Sequence, residues 1–328
     1  MEVRKKSLRF IDLFCGIGGF RQALEGCGHT CVFSSDWDKD ARLTYRENYG
    51  ESPFGDLTEA KVEEIPTHDV LCAGFPCQPF SISGNQAGFQ DSRGTLLHEI
   101  LRIADHHHPE VLFLENVRNY VSHAEGETLA MTLNLMEDAG YDPFFKVLNS
   151  SDFGIPQKRE RLYFACFRKD LRISEFEFPQ PTKSDVTVED ILLLGGDPML
   201  DDLFIEREDL TLAKEFPESR ENKPVRVGTV GKGGQGERIY SSLGHAITLS
   251  AYGGGIGAKT GIYLINERLR RLHPRECARL MGFPESFKLH NRRNVCYKLF
   301  GNSVVIPVVK KIFQEIEKSL SNIDLKAA

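Results

Sequence analysis

The first 170 residues alternate short apolar runs with amphipathic stretches, and that alternation restricts the chain to few architectures. Strands are expected at RFIDLF (9–14), TCVFSSD (30–36), HDVLCAG (68–74), VLFLENV (111–117), FFKVLNS (144–150) and RLYFACF (161–167). Amphipathic helices are expected between them, near 19–26, 38–48, 94–106 and 126–139. Several strands are apolar without interruption, as parallel strands are when helices cover both faces of the sheet. The pattern predicts an α/β domain with a doubly wound, mostly parallel, Rossmann-like sheet. Ligands of such sheets sit at the carboxyl ends of the strands.

The alternation breaks after about Phe178. An acidic, Pro-containing stretch (180–219) leads into a segment with 11 glycines between Gly228 and Gly261, interleaved with the β-prone pieces PVRVGTV, HAITLS and GIYLI. A second, smaller domain of strands and Gly-rich loops is expected there, where backbone can come close to a ligand. The expected division is 1–178 for the larger domain, 179–272 for the smaller, 273–302 for a return segment with a helix near 273–282, and 303–328 for a last helix. That helix (304–320, VVIPVVKKIFQEIEKSL) carries an apolar stripe and should pack back on the first domain.

The 328 residues sum to a net charge of -6, which at face value disfavours a polyanionic partner. The charge is unevenly spread. From Arg220 to Asn302 fifteen Lys and Arg stand against five Glu, a net +10 that leaves -16 for the remainder. A polyanion-binding face on an acidic body would have this distribution, and so would a merely solvated basic face. No apolar run approaches the roughly 20 residues that span a bilayer, and the start MEVRKKSLRF lacks the apolar stretch of a signal peptide. A globular protein without membrane association is expected.

Eight cysteines (15, 27, 31, 72, 77, 166, 277, 296) include no CxxC pair, and several lie within strand-like runs. Reduced thiols are expected, with Cys15, Cys72 and Cys166 in the core. No Cys/His set has zinc-ligand spacing, so no metal is expected; His106, His107 and His108 read as a helix-end surface cluster.

Two groups of residues carry chemistry. At the end of the first strand, Phe14 runs into Cys15-Gly16-Ile17-Gly18-Gly19, a Gly-rich turn before a helix. Position 21, where a dinucleotide fingerprint has its third glycine, is Arg. Asp36 closes the second strand and could accept hydrogen bonds from ribose hydroxyls. Trp37 could lie against an adenine, and Asp56 could reach its amino group. An adenosine-containing cofactor follows from this, without a choice between NAD and S-adenosylmethionine.

The second group begins with Gly74-Phe75-Pro76-Cys77-Gln78-Pro79 after the third strand, which puts a thiol on a proline-braced loop. Glu115-Asn116-Val117 ends the fourth strand, so Cys77 and Glu115 should meet at one sheet edge. Burial should raise the Glu115 pKa and make it a proton donor. Gln157-Lys158-Arg159-Glu160-Arg161 precedes the sixth strand, with two guanidinium groups at 159 and 161 suited to a base carbonyl or a phosphate.

In this order FxGxGG, PCQ, ENV, QKRER and GNSV resemble the motif series of the C5-cytosine DNA methyltransferases, over nearly the whole chain. The resemblance extends through KGGQGERIYS, AITLSAYGGGI and LHPRECARLMG, and is strongest toward members that modify the inner cytosine of GCGC. It implies S-adenosyl-L-methionine as methyl donor, with S-adenosyl-L-homocysteine as product, and double-stranded DNA as substrate. It implies Cys77, Glu115, Arg159 and Arg161 as catalytic residues acting on a cytosine flipped from the duplex. Phe14, Gly16, Gly18, Gly19, Asp36, Trp37, Asp56, Pro76, Leu96, Asn302 and Ser303 would line the cofactor site. The resemblance leads one to expect Glu at position 36, so Asp36 is a departure. Ser83 and Gln235 would fill the gap left in the base stack, and Glu237, Arg238, Thr248 and Tyr252 would contact DNA. A monomeric, cytoplasmic, bacterial enzyme of a restriction–modification system is implied, associated with the nucleoid through DNA. A cognate endonuclease would act on the same site without direct contact. Three rivals are an RNA cytosine methyltransferase, a nicotinamide-dependent oxidoreductase, and a DNA-binding protein without activity. The last would have no use for Cys77 and Glu115, and the oxidoreductase none for Cys77 and the basic segment.

Overall fold

The structure, a computed structural model, describes residues 7–75, 96–182, 184–193 and 198–327. Six strands form the larger sheet: β1 (Arg9–Leu13), β2 (Thr30–Ser35), β3 (Val70–Gly74), β4 (Val111–Val117), β5 (Tyr141–Asn149) and β6 (Glu160–Arg168). Their order is β2-β1-β3-β4-β6-β5. Only β6 runs against its neighbours, antiparallel to both β4 and β5. The helices α1 (Gly19–Glu25), α2 (Lys39–Tyr49), α3 (Leu96–His107) and α4 (Glu127–Asp138) occupy the connections. The expected doubly wound, mostly parallel sheet is therefore present.

Alternate residues of the apolar strands enter different cores, which is why the strands lack a polar face. Val111 and Phe113 of β4 pack in one cluster and Leu112 and Leu114 in the other. Val70 and Cys72 of β3 divide from Leu71 and Ala73 in the same way. Both faces are covered, so a polar residue inside such a strand carries a desolvation cost. Asp12 of β1 bears that cost: it is fully buried on the face of Phe10.

The last helices are α5 (Pro274–Met281), α6 (Arg293–Asn302) and α7 (Ile306–Ala327). Val309, Ile312, Phe313 and Ile316 of α7 are fully buried in the first core, and Phe313 stacks on Phe113 of β4 at 6.2 Å. Each such side chain contributes about 1.5–3 kcal/mol, and these four share a core with β4. Helix α6 has no counterpart in the sequence reading.

A second sheet has five strands, in the order β11-β10-β9-β8-β7. They are β7 (Leu210–Leu212), β8 (Arg226–Val230), β9 (Arg238–Ser241), β10 (Ile262–Ile265) and β11 (Arg268–Arg270). Val227, Val230, Ile239, Ile262 and Leu269 form its small core. Of the expected β-prone pieces, PVRVGTV and GIYLI contribute β8 and β10, but HAITLS joins no sheet. Its backbone is taken by the segment before β6: the Ala246 N–H donates to Pro156 O at 2.7 Å, and Lys158 N–H donates to Ala246 O at 2.9 Å. Glycines near 236 and 254 serve packing. A Cβ on Gly236 would stand 2.3 Å from Gly254 O, and Gly257 N–H donates to Gly236 O at 2.7 Å, so the two Gly-rich loops seat on each other.

Among the described residues no helix is long and apolar enough to cross a membrane, and no His, Cys, Asp and Glu side chains group as metal ligands.

Candidate active site

The carboxyl ends of β1, β2, β3 and β4 converge on one edge. At the first, the chain turns through Phe14 and Gly16 at φ of 54° and 55° and Gly18 at 82°. Only glycine enters this region without steric cost, so Phe14 is held there by its surroundings. The three glycines serve different ends. A Cβ on Gly18 would overlap the Tyr49 ring at 2.5–2.8 Å, and one on Gly19 would meet Val304 Cγ2 at 2.6 Å. One on Gly16 would meet nothing within 4 Å. That open face is where a ligand can approach backbone.

Asp36 braces this turn. Its Oδ2 accepts the Gly16 N–H and its Oδ1 the Asp38 N–H, both at 2.8 Å. Burial raises its pKa, and these two bonds work against the rise. Each oxygen keeps a second lone pair for a hydroxyl donor. Beside it Trp37 is 80% exposed, its indole bare for stacking. Asp56 Oδ1 accepts the Thr58 N–H at 3.0 Å and its hydroxyl at 2.8 Å, and Oδ2 accepts no hydrogen bond among the described residues. Leu96 begins α3, Asn302 ends α6 exposed, and Ser303 is buried against Gly19. A bare glycine face, an open indole and two braced carboxylates fit an adenosine group.

The chemical end lies two strands away. Gly74 of β3 is in register with Glu115 of β4, whose Oε2 is 3.5 Å from where a Gly74 Cβ would be. Glu115 is buried, and Arg161 Nε reaches its Oε1 at 3.1 Å. Burial raises the Glu115 pKa, against the pull of the Arg161 and Arg159 charges. The direction is the one the sequence reading expected. Asn116 donates from Nδ2 to Phe75 O at 3.0 Å and so anchors the chain at the end of β3. Sequence reasoning quoted Asn116 without giving it this task. Pro76, Cys77 and Ser83 lie outside the described residues.

Arg159 and Arg161 do not face a common ligand. Arg159 is 2% exposed and donates Nη1 to Leu249 O at 3.0 Å and Nη2 to Gly301 O at 3.0 Å and Ser303 O at 2.8 Å. Burial and the Arg161 charge push its pKa down to about 9, so it stays cationic at neutral pH. Gln157 is likewise fully buried: Nε2 donates to Leu280 O and Oε1 accepts the Leu249 N–H, both at 3.0 Å.

Arg161 opens on a cleft of about 480 Å³ between the two sheets. Gln235, Arg238, Thr248, Arg118, Lys158 and Glu160 also line it. Thr248 Oγ1 donates to Lys158 O at 2.6 Å. Tyr252 is 74% exposed, whereas Glu237 turns inward and accepts the Gly234 N–H at 2.8 Å. Four cations thus line one opening, Arg118 and Lys158 among them without a role in the sequence reading, and Arg161 links it to the buried Glu115.

Such a sheet, with a cofactor-shaped edge and an acid–guanidinium pair beside a basic cleft, agrees with what the chain matches. Residues 8–318 match the family model of the C-5 cytosine-specific DNA methylases, and the chain belongs to that family. It is an S-adenosylmethionine-dependent DNA (cytosine-5)-methyltransferase. It is 55% identical over 324 residues to the Type II methyltransferase M.HhaI of Haemophilus parahaemolyticus, covering 98% of each chain. It is 39% identical to M.DsaV of Dactylococcopsis salina, over 98% of this chain and 89% of that one. Among solved structures, the Dnmt2 methyltransferase of S. pombe shares the fold with a TM-score of 0.70 at 20% identity, covering 97% of this chain and all of that one.

Proposed function

We propose that the chain methylates the inner cytosine of GCGC in duplex DNA, as the modifying half of a restriction–modification pair. The target is supported by the resemblance of KGGQGERIYS and AITLSAYGGGI to family members that modify GCGC, and by a match to M.HhaI at 55% identity over 98% of this chain. The observation that carries the catalytic reading is the buried Glu115, paired with Arg161 at the mouth of a basic cleft.

In this reading the target cytosine is flipped into the cleft. Cytosine C5 is a weak nucleophile, and the protein activates it. The Cys77 thiolate adds to C6 while Glu115 delivers its proton to N3, so the ring electron pair becomes available at C5. Arg161, beside Glu115, holds the O2 edge and stabilises charge developing there. S-adenosylmethionine, when bound, supplies an electrophilic sulfonium methyl. Loss of the C5 proton to a base, breakage of the Sγ–C6 bond and return of the N3 proton to Glu115 restore aromaticity and free Cys77. Arg159 has no open face toward the base, and we assign it to positioning.

Phe14, Gly16, Gly18, Gly19, Asp36, Trp37, Asp56, Pro76, Leu96, Asn302 and Ser303 would hold the cofactor. Ser83 and Gln235 would fill the stack, and Arg238, the natural bidentate partner of guanine, would read base edges with Glu237, Thr248 and Tyr252. Residues 1–178 and 303–328 form the catalytic domain and 179–272 the target-recognition domain, joined by 273–302. The enzyme works as a cytoplasmic monomer without metal, and any cognate endonuclease acts on the same site independently. Bisulfite sequencing of plasmid from an expressing host tests the reading. Protection of the inner cytosine at GCGC alone is expected; protection at another sequence, or labelled methyl transfer to tRNA and not to DNA, would refute it.

A further inference from the structure

Asp12 is a buried carboxyl to which the reaction described above gives no task. It is 0% exposed, and its Oδ1 has no hydrogen-bond partner among the described residues. Its Oδ2 accepts the Arg21 backbone N–H at 3.3 Å. The Arg21 guanidinium is turned elsewhere, to Glu25 at 2.8 Å, to the Tyr45 hydroxyl at 3.0 Å and to Glu51. The other groups acting on Asp12 are Glu25 on α1, Cys15 in the turn, Cys31 and Asp36 on the β2 side, Cys72 on β3, and Tyr45 and Tyr49 on α2. Burial raises the pKa of each of these thiols and phenols, so they are neutral at pH 7, and the two carboxyls oppose a further negative charge. No side-chain cation contacts Asp12 among the described residues. A buried carboxylate without a counter-charge is costly, and an amide of the same shape would avoid that cost.

The strand order shows what stands above it. The sheet runs β2-β1-β3-β4, with Asp36 and Trp37 following β2 and Glu115 near the end of β4. A methyl donor with its adenosine at the first place and the target base at the second carries its sulfonium over the ends of β1 and β3. Asp12 is the penultimate residue of β1, in register with Ser34 of β2 and Cys72 of β3. With strands ~4.8 Å apart and ~3.3 Å per residue, the carboxyl lies on the order of 10 Å beneath that point.

We propose that Asp12 is the counter-charge of the cofactor's sulfonium, a specificity-determining residue that favours the cationic donor over its neutral thioether product. This rests on the reading of the edge from Phe14 to Asp56 as the cofactor site. An ionised Asp12 attracts the sulfonium and gains nothing from the thioether. At about 10 Å and an effective dielectric near 20, one unit charge is worth roughly tenfold in affinity. Burial pushes the Asp12 pKa up to about 8, so the carboxyl is mainly protonated at pH 6 and the preference is small there. It grows as pH rises through 8, and binding of the donor draws off the proton.

The test is calorimetry on the full chain without DNA, with S-adenosylmethionine and S-adenosylhomocysteine as probes from about pH 6 to about pH 9. The ratio of dissociation constants, product over donor, should rise with pH in wild type. The amino groups of both probes titrate in the same range, so the decisive comparison is D12N, which keeps an acceptor for the Arg21 N–H and cannot ionise. The rise in wild type should exceed that in D12N by roughly tenfold; D12S takes the place of D12N if that variant does not fold. A wild-type ratio that stays flat with pH overturns the proposal. So does a ratio that rises equally in D12N or D12S, which would assign the effect to Asp36, Glu115 or the probes themselves. Failure of the wild type to bind either probe would instead refute the cofactor reading.

Discussion

Arg161 reaches Glu115 diagonally across an antiparallel pair: it stands opposite Val117 on the neighbouring strand, yet its Nε lies 3.1 Å from Glu115 Oε1. The guanidinium favours the carboxylate and burial favours the acid, and burial prevails. Removing the cation must therefore raise the Glu115 pKa further. Arg161→Ala is predicted to lower kcat/KM by about 10²–10³-fold, as loss of a preorganised donor does. The alkaline limb of its pH profile should move to higher pH, because the proton donor stays protonated longer. A limb that stays put or moves down would separate Glu115 from the proton transfer.

The glycines of the first turn should separate by phenotype. Gly18→Ala and Gly19→Ala press a methyl group into Tyr49 and Val304, and overpacking of this kind costs about 1–3 kcal/mol. Gly16→Ala meets no atom of the protein, so its cost is the left-handed backbone alone, about 1–2 kcal/mol. Yet it should weaken S-adenosylhomocysteine binding by roughly tenfold, or ~1.4 kcal/mol. Denaturation and calorimetry on the three variants check the contrast.

Asp12 should make stability depend on pH. Burial pushes its pKa from 3.8 up to about 8, and its Oδ1 has no hydrogen-bond partner among the described residues. Its other oxygen accepts the Arg21 N–H in the first turn of α1 at 3.3 Å. The native state holds this proton longer than the unfolded chain does, so the contribution is full below pH 3.8 and is lost as pH rises toward 8. Asp12→Asn should flatten that decline. Urea midpoints between pH 5 and pH 8 measure it, and an unchanged slope would show that Asp12 is already ionised in the native protein.

Arg270 and Glu276, both fully buried, join through two bonds of 2.7 Å. Glu276 also accepts the N–H groups of Leu193 and His273, which fixes the start of α5 against the stretch before the second sheet. Glu276→Ala leaves a buried guanidinium unpaired and should cost about 3–5 kcal/mol in chemical denaturation. The double replacement R270M/E276M should cost less, since no charge remains buried.

What the chain revealed before folding was set by burial. β3 and β4 were legible because residues entering two cores leave an uninterrupted apolar run, and α7 because it carries an apolar stripe. The reversed direction of β6 leaves no trace in such a run. Helix α6, RNVCYKLFGN, has Cys296, Tyr297, Leu299 and Phe300 buried on a short span, too crowded to show a clean helical period. HAITLS has strand composition but divides its hydrogen bonds among Pro156, Gln157, Lys158, Lys223, Lys259 and Tyr263. At the site, Glu115 was legible as a carboxyl at the end of an apolar strand, whereas Arg159 and Arg161 look alike in sequence. What separates them is three carbonyl groups from residues 90 to 144 positions away.

In the proposed mechanism, covalent addition of Cys77 activates the cytosine. A GCGC duplex carrying 5-fluorocytosine at the inner position lets addition and methyl transfer proceed but gives C5 no proton to release. Incubated with this duplex and S-adenosylmethionine, the wild-type protein should form a denaturant-stable one-to-one adduct. Cys77→Ala should bind the duplex and form none. An active wild type that yields no adduct, or an adduct that survives Cys77→Ala, would contradict the account.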